Sequence, residues 1–246
     1  MTFSEIDRGR RVIGSTNPPA RLLMRCQQPM TPDPTTTQRG FFLSFEGSEG
    51  CGKSTQIQLL KARLEAVDRK VLLTREPGGT FIGERIRDLL QYTPEAGDMC
   101  DEAELFLFAA SRAQLVRAEL MPALASGTVV IADRFFDSTT VYQGMARGLD
   151  RASVNAINGF AVGDCRPKLT LLLDLDSEEG RTRAAGREGV ADRMEQLPAA
   201  FYQKVRDGYL ELAAAEPERI QVIDAVGSIE AIAATIWDTV RERMGE

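Results

Sequence analysis

The chain has 246 residues, 43% of them hydrophobic, a formal net charge of −6 and no histidine. The length admits one large α/β domain or two small ones; no apolar run approaches the roughly 18 residues of a membrane-spanning helix, and no apolar stretch of the kind that heads a secretory signal opens the chain, so a cytoplasmic protein is expected. The missing histidine excludes Ser-His-Asp and Cys-His catalysis and any histidine-based metal site, but it leaves phosphoryl transfer open, because that chemistry rests on positioning and charge stabilisation.

Residues 1–39 crowd Pro18, Pro19, Pro29, Pro32 and Pro34 beside Thr35, Thr36 and Thr37 without a hydrophobic period, which predicts a disordered N-terminal extension. Met24 or Met30 is an alternative start of translation. This segment holds six Arg against three acids, a net +3, which leaves −9 for the remainder. So acidic a domain argues against broad nucleic-acid binding. Anionic ligands would need local arginine clusters, and residues 40–246 contain several. Cys26, Cys51, Cys100 and Cys165 are widely spaced, with no Cys-x-x-Cys, and read as reduced thiols.

From residue 40 strands and helices alternate. An apolar strand over 41–45 runs into Gly47-Ser48-Glu49-Gly50-Cys51-Gly52-Lys53-Ser54-Thr55, and Ile57, Leu60, Leu64 and Val67 then recur at helical spacing. A short strand over 71–74 precedes the loop Arg75-Glu76-Pro77-Gly78-Gly79-Thr80, and a helix follows over 82–90. A polar loop over 92–101 leads to a long apolar-rich helix over 103–125, which Pro122 should kink or shorten. Further strands are predicted over 128–132, 169–173 and 219–223, and Ile229, Ile232, Ile236 and Val240 stripe a terminal helix. No internal repeat is visible. Five alternations predict a five-stranded parallel sheet covered on both faces, the three-layer α/β architecture of P-loop NTPases, with ligands at the carboxyl ends of the strands.

The motif Gly-x-x-x-x-Gly-Lys-Ser between a strand and a helix is the phosphate-binding loop pattern. Its glycines let backbone N–H groups converge on an anion, and the helix start adds its unpaired donors. Lys53 can reach the β- and γ-phosphates of a nucleotide, and Ser54 can ligate Mg²⁺. Asp133 ends a hydrophobic strand and is either a second metal-holding acid or a turn cap. Arg134 beside it either binds a phosphate or pairs with Glu46 or Glu76. Arg75 opens a glycine-containing loop and offers a bidentate fork to a second anion, or is a solvated turn arginine. Phe108 and Arg112 share a helix face at i, i+4, which suits a base and its phosphate; Phe108 alone would more often be core. Arg181, Arg183, Arg187 and Arg193 lie in a stretch with glycines on either side of Arg187, either a closing lid over about 180–194 or a solvated basic face.

Taken together these residues resemble the thymidylate kinase family, the nucleoside monophosphate kinases that act on dTMP. The most specific piece is Ile131-Ala132-Asp133-Arg134-Phe135-Phe136-Asp137-Ser138-Thr139-Thr140-Val141-Tyr142-Gln143; Thr74-Arg75-Glu76-Pro77-Gly78-Gly79-Thr80, Phe108-Ala109-Ala110-Ser111-Arg112 and Asp192-Arg193-Met194-Glu195 also agree. The resemblance covers residue 40 to the C-terminus. It implies transfer of the γ-phosphoryl group of ATP to dTMP, giving dTDP and ADP for dTTP synthesis, with Mg²⁺ held through Ser54 and Asp133. It implies an ATP site of residues 47–55 with Arg193, and Lys53 and Asp133 in catalysis. Phe108 would stack on thymine, Arg112 would contact its carbonyl edge, and Thr139, Tyr142 and Gln143 would line the nucleoside site. Tyr142 would fill the space of a ribose 2′-OH, and Arg75 and Arg134 would hold the acceptor phosphate. Glu49 stands where the eukaryotic type has a loop arginine, which fits the bacterial type with a catalytic lid arginine, Arg187 first and Arg183 second. A cytosolic homodimer built through the long helices is implied. The leader is no part of the family core, and Phe135 and Phe136 stand where bacterial relatives often carry polar residues. Two alternatives remain at this point: a kinase for another nucleotide or deoxynucleoside, and a nucleotide sensor that no longer catalyses. A GTPase is disfavoured, since no Asn-Lys-x-Asp signature is present.

Overall fold

The structure, a computed structural model, describes residues 39–93, 98–185 and 197–245. The expected disordered extension therefore lies outside the described residues, apart from Arg39. Five strands form one parallel sheet: β1 Phe41–Glu46, β2 Val71–Arg75, β3 Val129–Asp133, β4 Leu169–Asp174 and β5 Ile220–Asp224, in the spatial order β2-β3-β1-β4-β5. The predicted strands are all present, displaced by at most a residue or two at their ends. Around them lie α1 Lys53–Ala66, α2 Phe81–Gln91, α3 Asp101–Leu115, α4 Met121–Ala125, α5 Phe136–Thr139, α6 Arg151–Val162, α7 Ser177–Ala185, α8 Ala199–Ala215 and α9 Ile229–Met244.

The three layers follow from the period-2 alternation of the strands. Phe41, Leu43 and Phe45 of β1 pack with Ile57, Leu60 and Leu64 of α1 and with Ile236 and Val240 of α9. On the other face Phe42, Val130 and Ala132 meet Leu115, Val116, Leu120 and Phe135. Leu172 and Ile220 meet Val205, Tyr209 and Leu212 of α8. All six residues of β1 are buried, polar Ser44 and Glu46 included. Cys51, Cys100 and Cys165 are free thiols.

The long helix expected over 103–125 departs from the reading in a specific way. It is α-helical to Leu115, winds as a π-helix over Val116–Leu120, and resumes as α4, in whose first turn Pro122 sits. Proline has no N–H to donate, and at the start of a helical segment none is needed. The wider i→i+5 turns before it absorb the change, so the helix is rewound at Pro122 rather than stopped. A second π-helical segment, Thr140–Ala146, follows α5.

Register places the chemistry. Phe45 and Arg75 both align with Asp133, the Glu76 N–H donates to the Asp133 carbonyl, and the Arg134 N–H donates to the Phe45 carbonyl. The glycine-rich loop, Arg75 and Asp133-Arg134 therefore leave the sheet at one edge.

Candidate active site

The glycine-rich loop connects β1 to α1. Gly52 caps α1 at φ 91° and Gly50 sits at φ 76°, left-handed values that disfavour a side chain. At Gly50 space forbids one too: a Cβ there would stand 2.0 Å from the Gly180 carbonyl oxygen of α7. The reciprocal distance, from a Cβ on Gly180 to the Glu49 carbonyl oxygen, is 2.6 Å. α7 thus rests directly on the loop backbone. Lys53 is buried and its Nζ donates to the carbonyls of Gly47 at 3.0 Å and Ser48 at 2.9 Å, which folds the ammonium beneath the loop. Ser54 and Thr55 are exposed in the first turn of α1.

At the end of β3 Asp133 is half-buried. Arg134 adopts φ 67°, and its guanidinium lies 5.3 Å from the centre of the Tyr142 ring. It pairs with Glu49 of the loop, and Nη1 donates to Ser138 Oγ and Tyr209 Oη. Its ion pair is therefore with Glu49, and neither Glu46 nor Glu76, the two acids weighed from sequence, is its partner. Glu46 instead accepts from the Phe135 N–H at 2.8 Å, Ser138 Oγ at 2.6 Å and Tyr209 Oη at 2.7 Å. Burial and the nearby Asp137 push its carboxyl upward against the pull of Arg134 and these donors.

At the end of β2 Arg75 is exposed and donates to Glu84 at 2.9 Å, whose other oxygen accepts from the Gly79 N–H at 2.8 Å. Thr80 caps α2 by accepting from the Gly83 N–H. Arg112, expected beside Phe108 at the base, is 1% exposed. It donates to Glu76 at 2.7 Å, Asn158 at 2.8 Å and Thr139 at 2.9 Å. Burial pushes Glu76 up to about 7 in spite of the Arg112 charge beside it. Phe108 is half-buried and belongs to none of the packed apolar clusters. Tyr142 is buried, with a hydroxyl that finds no partner among the described residues. Gln143 is buried and donates to Glu104, which also holds Arg147. Arg183 is exposed on α7 and pairs with Glu179 one turn earlier. Arg187 and Arg193 lie outside the described residues, as does most of the expected lid.

Sequence reasoning missed the carboxylates Glu84 and Glu104, and the buried partners Asn158 and Tyr209. It named Glu46 and Glu76 only as candidate partners of Arg134. A glutamate ending a strand that is apolar but for Ser44 was the one available signal for Glu46. Among the described residues no cluster of three His, Cys, Asp or Glu could cage a metal. The oxygen donors at the sheet edge, the Ser54 hydroxyl and the Asp133 carboxylate, suit a hard cation that keeps its waters and phosphate ligands.

A parallel sheet of this order, with a phosphate loop after β1 and arginines where β2 and β3 end, defines a P-loop kinase of the nucleoside monophosphate kinase class. The family model described as thymidylate kinase matches residues 45–236, and the chain belongs to the thymidylate kinase family. It is 48% identical over 204 residues to a thymidylate kinase of Syntrophotalea carbinolica, covering 81% of this chain and 94% of that one. A thymidylate kinase of Deinococcus radiodurans is 45% identical over 205 residues, covering 83% and 98%. The crystal structure of thymidylate kinase from Ehrlichia chaffeensis superposes with a TM-score of 0.65 at 32% identity, covering 82% of this chain and 99% of that one.

Proposed function

We propose that the chain transfers the γ-phosphoryl group of ATP to dTMP, giving dTDP and ADP, the step that feeds dTTP synthesis. The observation that carries the reading is the common edge of Lys53, Arg134 and Arg75. β2 and β1 are separated only by β3, so Arg75 leaves the sheet about 10 Å from the loop strand, at roughly 4.8 Å per strand. That span suits a donor and an acceptor phosphate meeting end to end.

In this reading the loop N–H groups and Lys53 hold the donor phosphates, with Lys53 exchanging its carbonyl partners for phosphate oxygens. Arg134 and Arg75 orient the acceptor phosphate. Phe108 stacks on thymine while Arg112, fixed by Glu76, spends a remaining donor on its carbonyl edge. Thr139 and Gln143 shape the pocket from the far side, and Tyr142 occupies the place of a 2′-OH. Mg²⁺, which Ser54 and Asp133 would hold, neutralises charge on the phosphate oxygens when bound. Arg187, with Arg183 as the second choice, supplies positive charge as the phosphoryl group moves, and Arg193 belongs to the ATP site. A homodimer built through the long helices is part of the proposal: Phe106 on α3, 59% exposed, and Phe160 on α6, 88% exposed, are apolar side chains that a second copy would cover. A cytoplasmic location accords with the described helices, none of which is long and apolar enough to cross a membrane. The test is a substrate panel with MgATP: dTMP against dUMP, dCMP, dGMP and thymidine. A clear preference for dTMP is expected, and comparable turnover of another member would refute the assignment.

A further inference from the structure

Arg134 is held by more than its ion pair with Glu49. It is a non-glycine residue at positive φ, a strained backbone position, and a long side chain has many rotamers to lose. Something must fix both. Its Nη1 reaches two hydroxyls, Ser138 Oγ at 3.3 Å and Tyr209 Oη at 3.2 Å. Each of those hydroxyls contacts Glu46 Oε2, at 2.6 Å and 2.7 Å, and they lie 2.8 Å from each other. A hydroxyl whose proton goes to the carboxylate or to its neighbouring hydroxyl turns a lone pair to the guanidinium. Glu46 also accepts from the Phe135 N–H, which fixes the peptide that follows Arg134. Glu46, Ser138 and Tyr209 therefore form one clamp on the arginine and its backbone. Tyr209 is the distant member, contributed by α8, with its ring buried.

We infer that Tyr209 is a positioning residue for the acceptor phosphate: its hydroxyl hands the Glu46 carboxylate's hold to Arg134 and aims the guanidinium at the phosphate. The inference rests on Arg134 being the arginine of that phosphate. The ring packs in the apolar cluster with Val141, Val205 and Leu212, and Phe at 209 keeps that packing while deleting the hydroxyl alone.

The experiment measures kcat and the KM values for dTMP and ATP in the full chain, with Tyr209→Phe, Arg134→Lys and the double variant. Tyr209→Phe is expected to raise KM for dTMP about tenfold, equivalent to about 1.4 kcal/mol, with kcat and KM for ATP within about twofold of the parent. In the Arg134→Lys background the same change should add little, because the interaction it supports is already lost. A lowered Tm with an unmoved KM for dTMP, or full additivity of the two changes, overturns the inference while leaving the phosphate role of Arg134 intact. If Arg134→Lys itself leaves KM for dTMP unchanged, the underlying reading of that arginine fails and the inference with it. Should Tyr209→Phe not fold, Ser138→Ala removes the other bridging hydroxyl and carries the same expectation and the same refutations.

Discussion

Replacing Arg112 by Leu should destabilise the protein in a way that depends steeply on pH. Arg112 is buried, and its loss leaves the Glu76 carboxyl without its one charged partner. In the parent, burial already raises Glu76 from 4.5 to about 7. An acid whose pKa is raised on folding stabilises the native state fully below the unfolded value and loses that contribution as pH climbs through the folded one. For Glu76 the window is pH 4.5 to about 7, and the loss is about 3 kcal/mol at roughly 1.36 kcal/mol per unit. Above pH 7 the parent carries no further slope from this group. The variant lacks the attraction that held the carboxyl down, so its folded value rises beyond 7 and its stability keeps falling. At pH 5.5 Glu76 is protonated in both proteins. By pH 8.5, about 1.5 units past the parent's plateau, the variant's deficit should have grown, to a ceiling of about 2 kcal/mol. Urea unfolding at both pH values reads it directly, and groups common to both proteins cancel. Measured against Glu76→Gln alone, the double variant Arg112→Leu/Glu76→Gln should show a deficit that does not vary with pH. A single-variant deficit equal at both pH values, or one that shrinks as pH rises, would refute the burial argument.

Lys53→Ala should lower kcat on the order of 10²-fold or more, because the ammonium poised beneath the loop is lost to the transition state; steady-state turnover at saturating substrates reads it, and a kcat within tenfold would remove Lys53 from the chemistry. Phe108→Ala should raise KM for dTMP with kcat little changed, whereas a pure loss of thermal stability would return the ring to a packing role. Gly180→Ala puts a Cβ within 2.6 Å of the Glu49 carbonyl oxygen, so α7 must lift from the loop. Its expected signature is a higher KM for ATP, measured against an unchanged KM for dTMP. Phe160→Glu should shift the protein from dimer to monomer in sedimentation, and a parent that is already monomeric would retire the dimer.

What could be read in the sequence was local. The loop from Gly47 to Ser54 is recognisable because eight consecutive residues carry its whole specification, and the strands are recognisable because apolar runs end in Gly, Pro or charged residues. The π-helical winding before Pro122 was not, since it follows from how a continuous helix accommodates a missing donor. The clamp on Arg134 was hidden for a different reason: Glu46 meets Ser138 92 positions later and Tyr209 163 positions later, and neither hydroxyl is unusual in its own stretch. The i, i+4 spacing of Phe108 and Arg112 correctly placed them on one helix but suggested equal access to a ligand. Helical spacing fixes direction, not depth, and Asn158 and Glu76 come from elsewhere to enclose the arginine.

The same depth explains why an acidic chain can hold an anionic substrate. Each arginine assigned to the acceptor is already paired with a carboxylate of the chain: Arg112 with Glu76, Arg134 with Glu49, Arg75 with Glu84. A guanidinium has five donors and these partners engage some of them, so the pairing does not cancel the site. It removes rotamer freedom before the ligand arrives, which lowers the ordering cost of binding. It also spreads the positive charge among fixed acids, so that a molecule with net charge −6 presents orientation rather than bulk potential to its substrate. Selectivity at such a site rests on where the unspent donors point. That is set by the buried acids beneath them, and a change at Glu76 or Glu46 should therefore be felt in substrate choice as well as in the fold.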